Sequence, residues 1–312
     1  MKKPRSSSNS CSNSFRVYGL RIKVIIALIL FMGLIYGVEQ YIGWLSVLSD
    51  WEQLSLTTIT GVTILVFLSH FLRIVRVHFA YNVTQKVAFI DVSAVSLLHN
   101  TLSFLLPMRI GEAALPLLSR TQLNVDIRYA TTTLFVIRVF DLHVLCMLLL
   151  TFAGSLFIEE YALPIIVIGL LALPLGVAIL KQLTTRFKPL TFARPLLSPN
   201  SVWLKTYSFT LAIWGVKLSA LTFLAQQLGH LTLEHTWIAT IMADGSALSP
   251  ISGFANAGTF EMAFSLPLIS LGYTTSELVR IAVNVHIFVI VTNIIAGIIG
   301  FMLLRHTQNH NA

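Results

Sequence analysis

Apolar runs approaching the ~20 residues that carry a helix across a bilayer recur along this chain, and they fix its fold class before any motif is considered. Val24 to Tyr36, Ile137 to Leu150 and Ile281 to Leu304 are nearly continuous apolar stretches. In hydrocarbon every backbone N–H and C=O must be satisfied by the protein itself, so only helices and closed barrels span a membrane. A barrel is written as short alternating segments, which these runs are not. The chain therefore reads as an all-α polytopic membrane protein. With 55% hydrophobic and 11% charged residues and a mean hydropathy of +0.80, no separate soluble domain fits.

Full spans are expected at about 22–45, 56–77, 131–157, 163–180, 203–228 and 278–304, which puts both termini on one side. Lys2, Lys3, Arg16, Arg21, Lys23, Arg73, Arg76, Lys86, Arg120, Arg128, Lys181, Arg186, Lys205 and Arg305 fall on that side, while Glu39, Asp50, Glu52, Glu159, Glu160, Glu234 and Glu277 fall opposite. Cytoplasmic loops are the ones enriched in Lys and Arg, so the shared side is read as cytoplasmic and the location as an inner or plasma membrane. The same distribution accounts for the net charge of +8 without nucleic acid. Residues 1–21 are Ser- and Asn-rich and read as a disordered tail ahead of a transmembrane domain over 22–304, with 305–312 as a second tail.

Two apolar segments resist assignment as single crossings. Lys86 and Arg128 both need the cytoplasm, yet 87–118 between them is apolar and broken at Pro107, Gly111 and Pro116. Glu234 and Glu277 both belong outside, yet 237–271 is apolar and broken at Pro250, Gly253 and Gly258. A re-entrant hairpin satisfies each case, and the two are entered from opposite faces. The halves 56–157 and 203–304 then form an inverted repeat with a site near the midplane between broken helices. The alternative is two ordinary spans for each segment, or roughly ten crossings with the same termini.

Inside this frame lie the groups that hydrocarbon tolerates only when they are paired or hydrated: Arg109, Glu112, Arg138, Asp141, Lys217, Asp244 and Glu261. Arg109 with Glu112, and Arg138 with Asp141, are three apart and can pair along a helix. Lys217 has no charge near it in sequence. Ser93, Ser96, Asn100 and Ser103 share a helix face leading to Pro107, as Thr236, Thr240 and Asp244 share one leading to Pro250. Polar stripes in membrane helices more often join helices than bind ligand, and a carboxylate just after a glycine more often caps a helix. The repetition of both features in the two halves favours an internal polar cavity. The nine histidines have no metal-ligand spacing, and no phosphate loop or nucleophile motif is present, so neither a metal, a cofactor nor a catalytic centre is expected. Cys11 and Cys146 read as free thiols.

Asn100, Leu106-Pro107-Met108-Arg109-Ile110-Gly111-Glu112, Arg138 and Asp141, followed in the second half by Pro250, Gly253, Gly258, Thr259 and Glu261, resemble the transmembrane, flippase-like domain of the lysylphosphatidylglycerol synthases. The resemblance covers most of the chain. Departures are Ala114-Leu115-Pro116 where the family has Arg-Pro, a turn spread over 253–258, and Asn284 and His286 where the last span often carries an Arg. The resemblance implies a translocase for an anionic, modified or polyprenyl-linked lipid, acting through Asn100, Pro107, Arg109, Gly111, Glu112, Arg138, Asp141, Pro250, Gly258, Thr259 and Glu261; Lys217 and Asp244 join these candidates as membrane-embedded charges. The aminoacyl-transfer domain of the full-length synthases is missing from this sequence, so lipid aminoacylation is not expected. A lipid-modifying or glycosyl-transfer enzyme is the partner it suggests. Competing readings are a membrane-embedded transferase or hydrolase using Glu112 or His99 as base, and a non-catalytic member of a lipid- or glycan-assembly system. Oligomeric state is left open.

Overall fold

A computed structural model describes residues 8–198, 200–248 and 253–311. Among them there are twelve α-helices and no strand: α1 (Ser8–Tyr41), α2 (Trp44–Glu52), α3 (Leu56–Asn82), α4 (Phe89–Leu105), α5 (Ala114–Leu123), α6 (Ile127–Phe157), α7 (Glu159–Arg186), α8 (Arg194–Leu197), α9 (Asn200–Leu228), α10 (Leu233–Gly245), α11 (Thr259–Ile269) and α12 (Thr275–Asn311). Five of these, α3, α6, α7, α9 and α12, are long and apolar enough to cross a membrane, and α1 with α2 makes a sixth bent candidate. The chain is an all-α, multi-pass membrane protein.

Helix starts follow local chemistry. Ser55 accepts a hydrogen bond from the Thr58 N–H at 3.0 Å, and Asp126 accepts from the N–H groups of Arg128 and Tyr129. Each satisfies donors that the first turn leaves free. Proline ends α4: Pro107 opens a 3-10 turn over Pro107–Ala113, because it has no N–H to continue the ladder. The first span departs from the expected straight helix, since the chain turns at Gly43, φ 83°, and α2 leaves at 80°. Residues 8–21, read from composition as disordered, continue α1 as helix. Once a span is nucleated, each added residue gains a hydrogen bond for little further ordering. Residues 1–7 lie outside the described residues.

The packing repeats between the two parts of the chain. α3 lies against α9; α4 packs on α12 as α10 packs on α6; α4 packs on α5 as α10 packs on α11; and α5 meets α6 as α11 meets α12. Neither α4 at 17 residues nor α10 at 13 reaches the ~20 residues of a full crossing. Each is followed by a break and a shorter helix folded back on it. Small residues allow the closest of these contacts: Gly297 and Gly300 of α12 face Thr101 and Leu97 of α4, and Thr101 Oγ1 donates to the Asn293 carbonyl at 2.8 Å. α7 packs along α6 on one side and leaves Leu163, Ile168, Leu171 and Leu175 exposed on the other, as befits a helix at the edge of a membrane bundle.

Candidate functional site

The two halves place polar residues at matching steps. Arg73 stands 17 residues after Leu56, the start of α3, and Lys217 stands 17 after Asn200, the start of α9. Asn100 stands 11 residues into α4 from Phe89, and Asp244 stands 11 into α10 from Leu233. Because α3 meets α9, these four converge. With His70, Ser103, Glu112, Arg138 and Trp214 they line a cavity of about 90 Å³. A water needs roughly 10–15 Å³ of such space, so the cavity holds several waters or a small charged group.

Most charges around it are neutralised. Lys217 Nζ sits 2.7 and 2.6 Å from the two oxygens of Asp244, a partner 27 residues away that local sequence did not reveal. Arg138 grips Glu112 through Nη2 at 2.7 Å and Nε at 3.1 Å, and donates to Asp141 at 3.1 Å. The expected Arg109–Glu112 pair is loose, 3.7 Å, and Arg109 takes a left-handed φ of 61°. Glu112 lies inside the 3-10 turn and does not cap a helix, as its position after Gly111 had suggested. Asp141 lies behind the cavity, fully buried, and binds Arg76 at 2.7 Å and the Trp214 indole N–H at 3.0 Å.

Arg73 and Arg76 correct the sequence reading, which counted both as cytoplasmic charges. α3 runs to Asn82, so both fall within the helix, Arg76 buried against Asp141 and Thr210 and Arg73 on the cavity wall. A buried guanidinium beside a buried carboxylate offsets part of the cost of burying both charges. Arg73 has no ion pair among the described residues; its guanidinium lies 5.2 Å over the Trp214 ring. His70 faces the same cavity with neither ring nitrogen hydrogen-bonded, and the Asn100 amide nitrogen is also without a partner. Matching helix positions of Arg73 and Lys217 were the available signal.

A second cluster forms away from the cavity. Glu261, buried, accepts the Gly258 N–H at 2.8 Å, the capping role expected of it, and its other oxygen meets His286 Nδ1 at 2.6 Å. Gly258 has φ 82°, which favours glycine. Thr259 Oγ1 donates to Asn256. Pro250 lies outside the described residues. Asp50, read as an external loop charge, is instead buried against Arg280 and Asn284. Four of these pairs each close within one half: Arg76–Asp141 and Arg138–Glu112 in the first, Lys217–Asp244 and Glu261–His286 in the second.

Beside the cavity an apolar groove of about 580 Å³ runs along α6, lined by Leu134, Phe135, Val139 and Leu142 and sharing Glu112 and Arg138 with the cavity. Phe135 and Leu142 are exposed on the outside of the bundle. The model of the lysylphosphatidylglycerol synthase TM region matches residues 22–297. The chain belongs to that family. No curated protein and no solved structure matches it. Membership suggests a function concerned with membrane lipids. Of the candidate residues, the structure joins Asn100, Glu112, Arg138, Lys217 and Asp244 at one cavity, sets Asp141 behind it, and sets Gly258, Thr259 and Glu261 apart.

Proposed function

We propose that this protein is a lipid translocase of the flippase type, passing a lipid with an anionic headgroup between leaflets. The observation that carries the reading is the shared wall: Glu112 and Arg138 border both the polar cavity and the apolar groove along α6. An amphipathic molecule needs both surroundings at adjacent points, its headgroup in one and its chains in the other. Arg73 supports an anion, because it is a cavity cation not already neutralised and it lies beside two unused donors, His70 and Asn100. A cation held in a low-dielectric site offsets part of the barrier to a headgroup crossing hydrocarbon. Transport is favoured over catalysis because Glu112, the candidate base, is held by Arg138.

The expected result in liposomes is leaflet exchange of an anionic lipid without chemical change, read by a leaflet-specific quench. Arg73→Ala is expected to slow it roughly ten- to hundredfold, the value of about 1–3 kcal/mol for one charged contact, with no loss of folded protein. No acceleration over empty liposomes, a chemically altered product, or an unchanged rate in Arg73→Ala overturns the reading.

The same proposal takes the two broken pairs, α4–α5 and α10–α11, as re-entrant hairpins entered from opposite faces of an inverted repeat, with both termini cytoplasmic. In a background without Cys11 and Cys146, single cysteines at Lys86 and Arg128 are expected to label only from the cytoplasm, and at His230 and Ser276 only from outside. Labelling of Lys86 and Arg128 from opposite faces refutes the hairpins.

A further inference from the structure

We infer that Arg73, Asn100 and His70 form the seat of one singly charged oxyanion, which takes beside Arg73 the place that the Asp244 carboxylate takes beside Lys217. This deepens the translocase reading by naming the charge and the seat of the headgroup. It rests on that reading for the lipid; the anion seat does not.

The two halves repeat at one interval. His70 and Trp214, Arg73 and Lys217, and Asn100 and Asp244 are each 144 residues apart, and α4 packs on α3 as α10 packs on α9. Arg73 therefore precedes Asn100 by the same 27 residues that separate Lys217 from Asp244. In the second half these positions hold a cation and a carboxylate, joined at 2.6 and 2.7 Å. In the first half an amide stands where the carboxylate would be. Asparagine carries an NH2 in place of one aspartate oxygen, so a negative charge is lost and an acceptor becomes a donor.

The groups facing that exchange are left without partners. Asn100 Nδ2 is buried and bonds to nothing among the described residues. His70, 6% exposed, lines the same cavity with neither ring nitrogen hydrogen-bonded. Arg73 lines it too and meets the Trp214 ring at 5.2 Å, a contact with a π face that leaves its charge without a counter-ion. The carboxylates of the cavity, Glu112 and Asp244, are already held by Arg138 and Lys217. A guanidinium, an amide NH2 and an imidazole N–H are all donors, so what joins them is an acceptor. Water can accept from them but does not neutralise the guanidinium.

The ion pairs fix how much charge the seat takes. Arg76 with Asp141, Arg138 with Glu112, and Lys217 with Asp244 match one to one, which leaves Arg73 as the remainder. Arg109 lines the neighbouring groove and lies loosely on Glu112. One negative charge completes the set, and a second would itself be left unpaired. A phosphodiester or a carboxylate carries one; a phosphomonoester carries about 1.5 to 2 at neutral pH. The cavity, with space for several waters, admits one such group.

Calorimetric titration of the purified full-length protein tests the seat without any transport assay. The probes are dimethyl phosphate, a monoanion, and methyl phosphate, a dianion at about pH 8. Dimethyl phosphate is expected to bind, and to bind more tightly than methyl phosphate although it carries less charge. Asn100→Asp gives Arg73 the internal carboxylate that Lys217 already has, and is expected to weaken binding roughly ten- to hundredfold. Its melting temperature is expected to match or exceed that of the parent. No binding by the parent, tighter binding of methyl phosphate, or parent-like binding in Asn100→Asp overturns the inference. If Asn100→Asp does not fold, Asn100→Leu decides, since it removes the donor and is expected to weaken binding as well; parent-like binding there overturns the inference equally. A short-chain lipid with a phosphodiester headgroup is expected to displace the probe, which marks the seat as one for a headgroup. Binding of dimethyl phosphate without displacement by the lipid leaves the anion seat standing and removes the translocase reading. Equal leaflet exchange in the parent and in Asn100→Asp does the reverse.

Discussion

Asp141→Ala is expected to leave little folded protein in the membrane. Asp141 is the buried acceptor for Arg76, Arg138 and the Trp214 indole. Arg138 keeps Glu112 after the substitution, but Arg76, itself 3% exposed, keeps only the Thr210 hydroxyl. Stranding a buried charge costs about 3–5 kcal/mol, a large part of the stability of a domain. The measure is the folded yield and melting temperature in detergent. The diagnostic control is Arg76→Met with Asp141→Leu, which removes both charges and fills the space; it is expected to regain most of the loss. A single Asp141→Ala variant melting with the parent contradicts the buried network.

Gly111→Ala is expected to be nearly as damaging, for a steric reason. A Cβ at Gly111 would lie 2.0 Å from the Leu102 carbonyl oxygen and 2.6 Å from Ser103 Cα. Both are backbone atoms of α4, so no side chain can swing aside, and the 3-10 turn must separate from the helix. The cost expected is about 3 kcal/mol, the upper end for an overpacked site. Transport should fall further than stability, because the same movement draws Glu112 away from Arg138. Gly176→Ala and Gly215→Ala, in helices with nothing within 4 Å of the new carbon, are expected to be neutral or stabilising by up to about 1 kcal/mol. Equal melting temperatures for Gly111→Ala and Gly176→Ala rule out the clash.

The membrane spans were legible because hydrocarbon leaves no alternative to long apolar helices, and the breaks at Pro107 and Gly258 were legible because those residues disrupt or redirect backbone. Glu112, Arg138 and Asp244 were found as charges with no reason to lie among apolar neighbours. Arg73 and Arg76 were missed because a basic residue near the end of a span has the same local sequence whether it reaches the interface or turns inward. Only the carboxylate of Asp141, 65 residues from Arg76, decides between these. His286 was noted in the last span without its partner, since the contact with Glu261 depends on how α11 folds back on α12. The bend at Gly43 was missed because glycine is also common in straight membrane helices.

The closure of ion pairs within each half bears on how the chain is made. Synthesis delivers the first half to the membrane before the second exists. Arg76, Arg138, Glu112 and Asp141 are then already able to neutralise one another, and Lys217 with Asp244 does the same when the later helices follow. Asp50 of α2 is the exception, since its partner Arg280 arrives with α12. What remains for the two parts on meeting is that one pair, hydrogen bonds such as Thr101 to Asn293 and Trp214 to Asp141, and small residues closing against helix backbone. Co-expression of the two halves as separate polypeptides, cut between α8 and α9, is therefore a route to the whole protein, because insertion and docking are separate events.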